Sequence, residues 1–154
     1  VMIITHNSPL AQMADKVVYT GMIDEYFSYC FGQLEYRSLE FKHELLPISN
    51  YQGVAVMNYT DNETPYTRII EHKHFEFGAK DKTLITREYA QEWDRGKEPY
   101  YPINDDKNNT LFIRYKEKAA TLPNVIFGGR LADYAYYDMD KVIRMALDKV
   151  KQCV

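Results

Sequence analysis

At 154 residues and 45% apolar content, the chain is long enough for one domain or a large piece of a bigger one, and rich enough for a real core. A formal net charge of -3 argues against bulk nucleic-acid binding, because neutralising phosphates takes a basic surface that 19 Lys and Arg against 22 Asp and Glu do not supply. No run of 18 apolar residues exists to span a bilayer, and VMIITHNSPLAQ lacks the basic start and apolar middle of a secretion signal, so a cytoplasmic protein is expected.

In chain order, "MII" reads as a short strand, "SPLAQMA" as a helical turn and "DKVVYTG" as a buried strand stopped at Thr20 and Gly21. "MIDEYFSYCFG" sets Ile23, Tyr26, Phe27 and Cys30 at helical spacing and ends on Gly32, a helix stop. The period then changes to two. "LEYRSLEFKHELL", "GVAVMNYT", "TRIIEHKHFEF" and "TLITREYA" are alternating runs divided by turn-rich segments, which predicts an antiparallel meander. After the polar loop "EWDRGKEPYYPINDDKNN", Leu111, Phe112, Tyr115 and Ala119 mark a helix begun near Asn108 or Asn109. "NVIFGG" is a last strand, followed by "RLADYAYYDMD" and a helix with Val142, Ile143, Ala146, Leu147 and Val150 on one stripe. The predicted class is α+β: a mostly antiparallel sheet of four to six strands with flanking helices.

Cys30 and Cys153 lack CxxC spacing and read as reduced thiols. Fourteen tyrosines against one tryptophan supply flat groups with a polar tip, suited to a half-wet cleft or to a packed sheet. Gly128 and Gly129 permit close backbone approach, Arg130 offers a planar donor fork, and the helix start after Asp138 presents free N–H groups. Together they suit a pyrophosphate, or simply form a tight turn with a surface arginine. Arg37, Arg68, Arg87 and Arg130 interrupt or follow strand patterns, and each needs a carboxylate such as Glu35, Glu71 or Glu88, or else a phosphate. On a strand, His72 and His74 would share a face and with Glu76 could seed a metal site, although a hydrogen-bonded structural pair serves the same pattern and no metal is assigned. No GxSxG elbow or cysteine–histidine spacing points to a side-chain nucleophile.

The blocks "VVYTGMIDEYFSYCFGQLEYRSLEF", "YQGVAVMNYTDNETPYTRIIEHKHFEF", "REYAQEW", "EPYYPINDDKN" and "VIFGGRLADYAYYDMDKVI" resemble, in order and over nearly the whole chain, the C-terminal half of the bacterial UDP-galactopyranose mutase family. The resemblance implies an FAD-dependent, redox-neutral interconversion of UDP-galactopyranose and UDP-galactofuranose for cell-surface polysaccharides. The reduced flavin is then the nucleophile, in keeping with the lack of one among the side chains. Arg68 corresponds to an arginine gripping the substrate diphosphate, Tyr101 and Tyr136 to tyrosines hydrogen-bonding it, and Asn58 to a substrate-contacting asparagine. Glu88 and Asp138 correspond to acidic residues near sugar and flavin, and Arg37 to a supporting arginine. Gly129, Arg130, Tyr137, Asp138, Met139, Asp140, Lys141 and Val142 correspond to the flavin-binding turn.

The chain departs from that pattern in lacking the GxGxxG fingerprint and the helical lid. It is therefore expected to be a fragment inactive by itself, from a parent for which a homodimer is one option. The expected organisation is a flavin-domain remnant over 1–22, a substrate domain over 23–124, and a C-terminal strand–turn–helix of the flavin domain over 125–154. Rival readings are a flavin amine-oxidase-like oxidoreductase and a non-catalytic sugar-nucleotide binding module.

Overall fold

A computed structural model describes residues 14–76 and 80–153, and the readings of "MII" and "SPLAQMA" fall outside them or at their edge. The chain forms two compact units, one made of Val1–Tyr36 and Tyr101–Val154 and the other of Arg37–Tyr100. The fold class is α+β, as the sequence pattern predicts.

In the Arg37–Tyr100 unit the second to fourth alternating runs form the expected meander, but the first run pairs with the fourth and not with the second, because the fourth offers a partner of matching length whereas the second contributes only three strand residues. Strand β2 (Tyr36–Leu46) pairs antiparallel with β5 (Thr83–Glu92) from Arg37 opposite Glu92 to Leu46 opposite Thr83. β4 (Arg68–Glu71) pairs with β5, and β3 (Val56–Asn58) with β4, giving the order β3-β4-β5-β2. Ile69 and Ile85 are wholly buried in it. The run "TRIIEHKHFEF" does not stay extended, because after Glu71 the chain turns into a 3-10 helix, His72–Phe75. Residues three apart face each other only in a helical turn, and that turn brings His74 Nε2 to 3.1 Å from Glu71 Oε2. The buried Glu71 carboxylate also accepts the N–H groups of Tyr51 and Gln52, at 3.0 and 2.8 Å, and the hydroxyl of Thr83 at 2.7 Å. Long-range hydrogen bonds thus override the alternating pattern.

The other unit opens with β1 (Val17–Tyr19), which pairs parallel with β7 (Val125–Phe127). The helix expected over residues 23–32 is one turn, α1 (Ile23–Tyr26). Ser28 and Tyr29 adopt φ of 53° and 56°, and the bonds from Tyr29 N to Asp24 O and Ser28 N to Glu25 O close the helix with a C-terminal motif that usually carries glycine. A short strand β6 (Tyr101–Pro102) leads to α2 (Asp106–Ala119), whose cap is Asp105 and not Asn108 or Asn109. Asp105 Oδ1 accepts from Asn108 N at 2.7 Å, and the buried Asn108 side chain is spent accepting from Glu35 N at 3.0 Å.

Tyrosines build this unit's core. Tyr19, Tyr26, Phe27 and Phe127 form one cluster with ring centroids 4.8 to 5.8 Å apart, and Phe27 stacks on Tyr115 at 6.1 Å. Their hydroxyls find backbone acceptors, Tyr19 at Met22 O and Tyr115 at Gly32 O. The last helix, α3 (Met139–Cys153), turns much of its apolar stripe outward, with Ile143, Leu147 and Val150 about 60% exposed.

Candidate functional site

The sequence-derived candidates gather into two clusters, one per unit. In the Arg37–Tyr100 unit, register makes the first: Asn58 sits opposite Arg68, and Arg68 opposite Glu88, so three side chains share one face across three strands. Arg68 Nε donates to Asn58 Oδ1 at 2.9 Å, and Arg68 Nη1 lies 3.6 Å from Glu88 Oε2. Thr67 Oγ1 lies 3.1 Å from Glu88 Oε1, which anchors the carboxylate from the neighbouring position. The Glu88 side chain is 9% exposed and that of Arg68 39%, so the carboxylate is enclosed while the guanidinium reaches solvent. An arginine fixed at Nε by an amide and at Nη1 by a carboxylate is pre-oriented to receive an anion on its open edge.

Tyr101, Arg130 and Tyr136 make the second cluster. The two rings lie 5.8 Å apart, and the Arg130 guanidinium sits 5.6 Å from the Tyr101 centroid and 5.0 Å from that of Tyr136. A cation beside a pair of phenols holds charge near two hydroxyl donors, an arrangement fit for a phosphate ester. Tyr136 is 55% exposed, so the cluster is open to a ligand.

The two glycines before Arg130 have different jobs. Gly129 has φ of +89°, which a side chain rarely adopts. At Gly128 an added Cβ would come within 3.0 Å of Lys149 Cδ, because the Lys149 ammonium donates to Phe127 O and to Asp133 Oδ1. The space at Gly128 thus belongs to α3 of the same chain and not to a ligand. Residues 130–137 form a compact turn, with Asp133 N bonded to Gly129 O and Ala135 N to Arg130 O, and only then does α3 begin. Asp138, Met139, Asp140 and Lys141 are exposed in or before its first turn, with Tyr137 and Val142 partly covered. The cationic fork of Arg130 and the N–H groups at the start of a helix fit the anionic part of a dinucleotide cofactor.

The remaining charged candidates resolve separately. Arg37 is exposed on β2 opposite Glu92. Arg87 bonds Glu44 at 2.5 Å and lies over the Tyr66 ring. Among the described residues no group of three or more His, Cys, Asp or Glu is arranged to hold a metal. His72 Nε2 and His43 Nδ1 instead both meet the Thr86 hydroxyl, at 2.6 and 2.8 Å.

Sequence reasoning missed Tyr134, Asp24 and the reach of Glu71. Tyr134 is buried, with φ of 45°, and its hydroxyl ties two distant backbone segments together. Its only sequence signal is membership of the "YAYY" run, where the pattern does not separate the inward tyrosine from the outward one.

The family model for UDP-galactopyranose mutase matches residues 2–136, and the chain belongs to that family. It is 40% identical over 152 residues to the UDP-galactopyranose mutase of Mycoplasma pneumoniae, covering 95% of this chain and 37% of that protein. Against the Mycoplasma genitalium mutase of the same name the identity is 42% over 142 residues, covering 88% and 35% respectively. Against the dTDP-fucopyranose mutase of Escherichia coli it is 38% over 133 residues, covering 86% and 35%. The chain therefore spans about a third of the length of the curated relatives it matches.

Proposed function

We propose that this chain is the substrate-gripping part of a longer, flavin-dependent sugar-nucleotide mutase that interconverts UDP-galactopyranose and UDP-galactofuranose. The observation that carries the reading is the stack of Tyr101, Arg130 and Tyr136, formed by residues distant in sequence within or beside the stretch matched to the family. Ring contraction without net oxidation requires the bond between the anomeric carbon and the diphosphate oxygen to break and re-form, so negative charge builds on the departing nucleotide. Arg68, held by Asn58 and Glu88, meets that charge with its open guanidinium edge, and the Tyr101 and Tyr136 hydroxyls donate to phosphate oxygens. Asp138 acts through its field near the start of α3. Gly129, Arg130 and Tyr137 to Val142 would hold FAD, which when bound and reduced supplies the nucleophile that no side chain offers.

A second reading is favoured by the 38% identity to the dTDP-fucopyranose mutase, since the two substrates share the diphosphate that these groups would grip. The test is conversion by the full-length, FAD-loaded, dithionite-reduced protein, with UDP-galactofuranose and dTDP-fucofuranose offered in parallel and products separated by chromatography. Conversion of the uridine substrate supports the first reading and of the thymidine substrate alone the second. Conversion of neither refutes both. The piece described here is expected to be inactive by itself.

A further inference from the structure

The Tyr101–Arg130–Tyr136 stack needs a reason to hold its geometry, because Tyr136 is 55% exposed and reaches the stack from a turn with no regular secondary structure. We propose that Tyr134 is the positioning residue that sets this stack, through its hydroxyl. This inference rests on the reading of the stack as the diphosphate grip. The Tyr134 ring is 3% exposed, packed edge-on against Tyr36 at 5.3 Å and tilted against Phe112 at 5.6 Å. Its hydroxyl accepts from Ile103 N at 3.2 Å and donates to Glu35 O at 2.6 Å. Ile103 is two residues beyond Tyr101, and Tyr134 is two residues before Tyr136, so one phenol oxygen fixes the register of the two segments that carry the stacked rings. Tyr134 takes a left-handed backbone, φ of 45°, costly for a residue with a side chain, and the packing and hydrogen bonds around it hold it there. That conformation sends the chain from a buried Tyr134 to an exposed Tyr136 within two residues.

Tyr134→Phe keeps the ring packing. Ile103 N also donates to Glu35 O at 3.1 Å, so the backbone retains a bond and the variant is expected to fold. What it loses is the link from residue 134 to residues 35 and 103. The experiment is a cycle on the full-length protein, with UDP affinity measured by calorimetry for wild type, Tyr134→Phe, the pair Tyr101→Phe with Tyr136→Phe, and all three changes together. Tyr134→Phe is expected to weaken UDP binding about tenfold in the wild-type background, less than the roughly hundredfold that a displacement of about 1 Å can cost a reaction rate. It should weaken binding less than about twofold where both stack hydroxyls are already gone, since groups acting as a unit are non-additive. Equal losses in the two backgrounds, or no loss in either, overturn the proposal. If wild type does not bind UDP, the functional reading falls instead. The positioning role is then judged from crystal structures of wild type and Tyr134→Phe, where an unchanged Tyr101–Tyr136 separation overturns it and a displaced ring pair supports it.

Discussion

Asp24 is a wholly buried carboxylate among tyrosines, and replacing it with asparagine should change how stability depends on pH. Oδ2 accepts from Leu34 N at 2.8 Å, while Oδ1 has no hydrogen-bond partner among the described residues. Desolvation raises its pKa from 3.8 to about 6. Backbone N–H groups, that of Leu34 foremost, oppose the rise and the charge of Glu25 adds to it. A raised acid pKa means that the folded state holds a proton the unfolded state has released. The associated stability is complete below pH 3.8 and is lost as pH climbs through about 6. A shift of about 2 pK units is worth about 3 kcal/mol in full, of which about 2 kcal/mol disappears between pH 4.5 and pH 7.5. Asparagine keeps an acceptor for Leu34 N and does not titrate, so its fixed costs cancel when the two pH values are compared. Urea denaturation of both proteins should show Asp24→Asn gaining about 2 kcal/mol on wild type from the lower pH to the higher. A difference between the proteins that does not vary with pH would refute the argument that this carboxylate is desolvated in the fold.

Glu71 titrates with the opposite sign. Burial raises its pKa, but the N–H groups of Gln52 and Tyr51, the Thr83 hydroxyl and His74 together bring it down to about 2, so its stabilisation is present above about pH 4.5 and lost as pH falls through about 2. Glu71→Ala removes the buried acceptor of two part-buried amides and should cost about 2–4 kcal/mol, with hydrogen exchange at Tyr51 and Gln52 accelerating; unchanged protection there would contradict the assignment. Ser28→Gly removes a side chain from an exposed left-handed position and should raise stability by about 0.5–1 kcal/mol in thermal unfolding, after the entropy glycine adds to the unfolded chain. A loss of stability would mean that the motif closing α1 does not strain the backbone.

What was legible in the sequence follows from the range of the interactions involved. The antiparallel strands were readable because alternation in β2, β4 and β5 is a local consequence of pairing, whereas the choice of β5 over β3 as the partner of β2 is set by distant segments and was not; the register of β3, β4 and β5 carries Asn58, Arg68 and Glu88 onto one face. Boundaries set by distant partners were not readable. His72 and His74 leave the strand because Glu71 is committed to Tyr51, Gln52 and Thr83, and α1 ends early in residues that propensity does not mark as stops. The same limit governs the candidate site. Glycine and arginine in "GGR" announce a special turn, yet pattern alone treats the two glycines alike, although Gly129 serves backbone conformation and Gly128 makes room for Lys149. Tyrosine is the sharpest case, because its ring belongs to a core and its hydroxyl to a ligand or a backbone, and composition cannot say which end is in use. In the run from Tyr134 to Tyr136 both uses occur two residues apart: the first phenol is consumed inside the fold, and that expenditure leaves the second free at the surface, over Arg130.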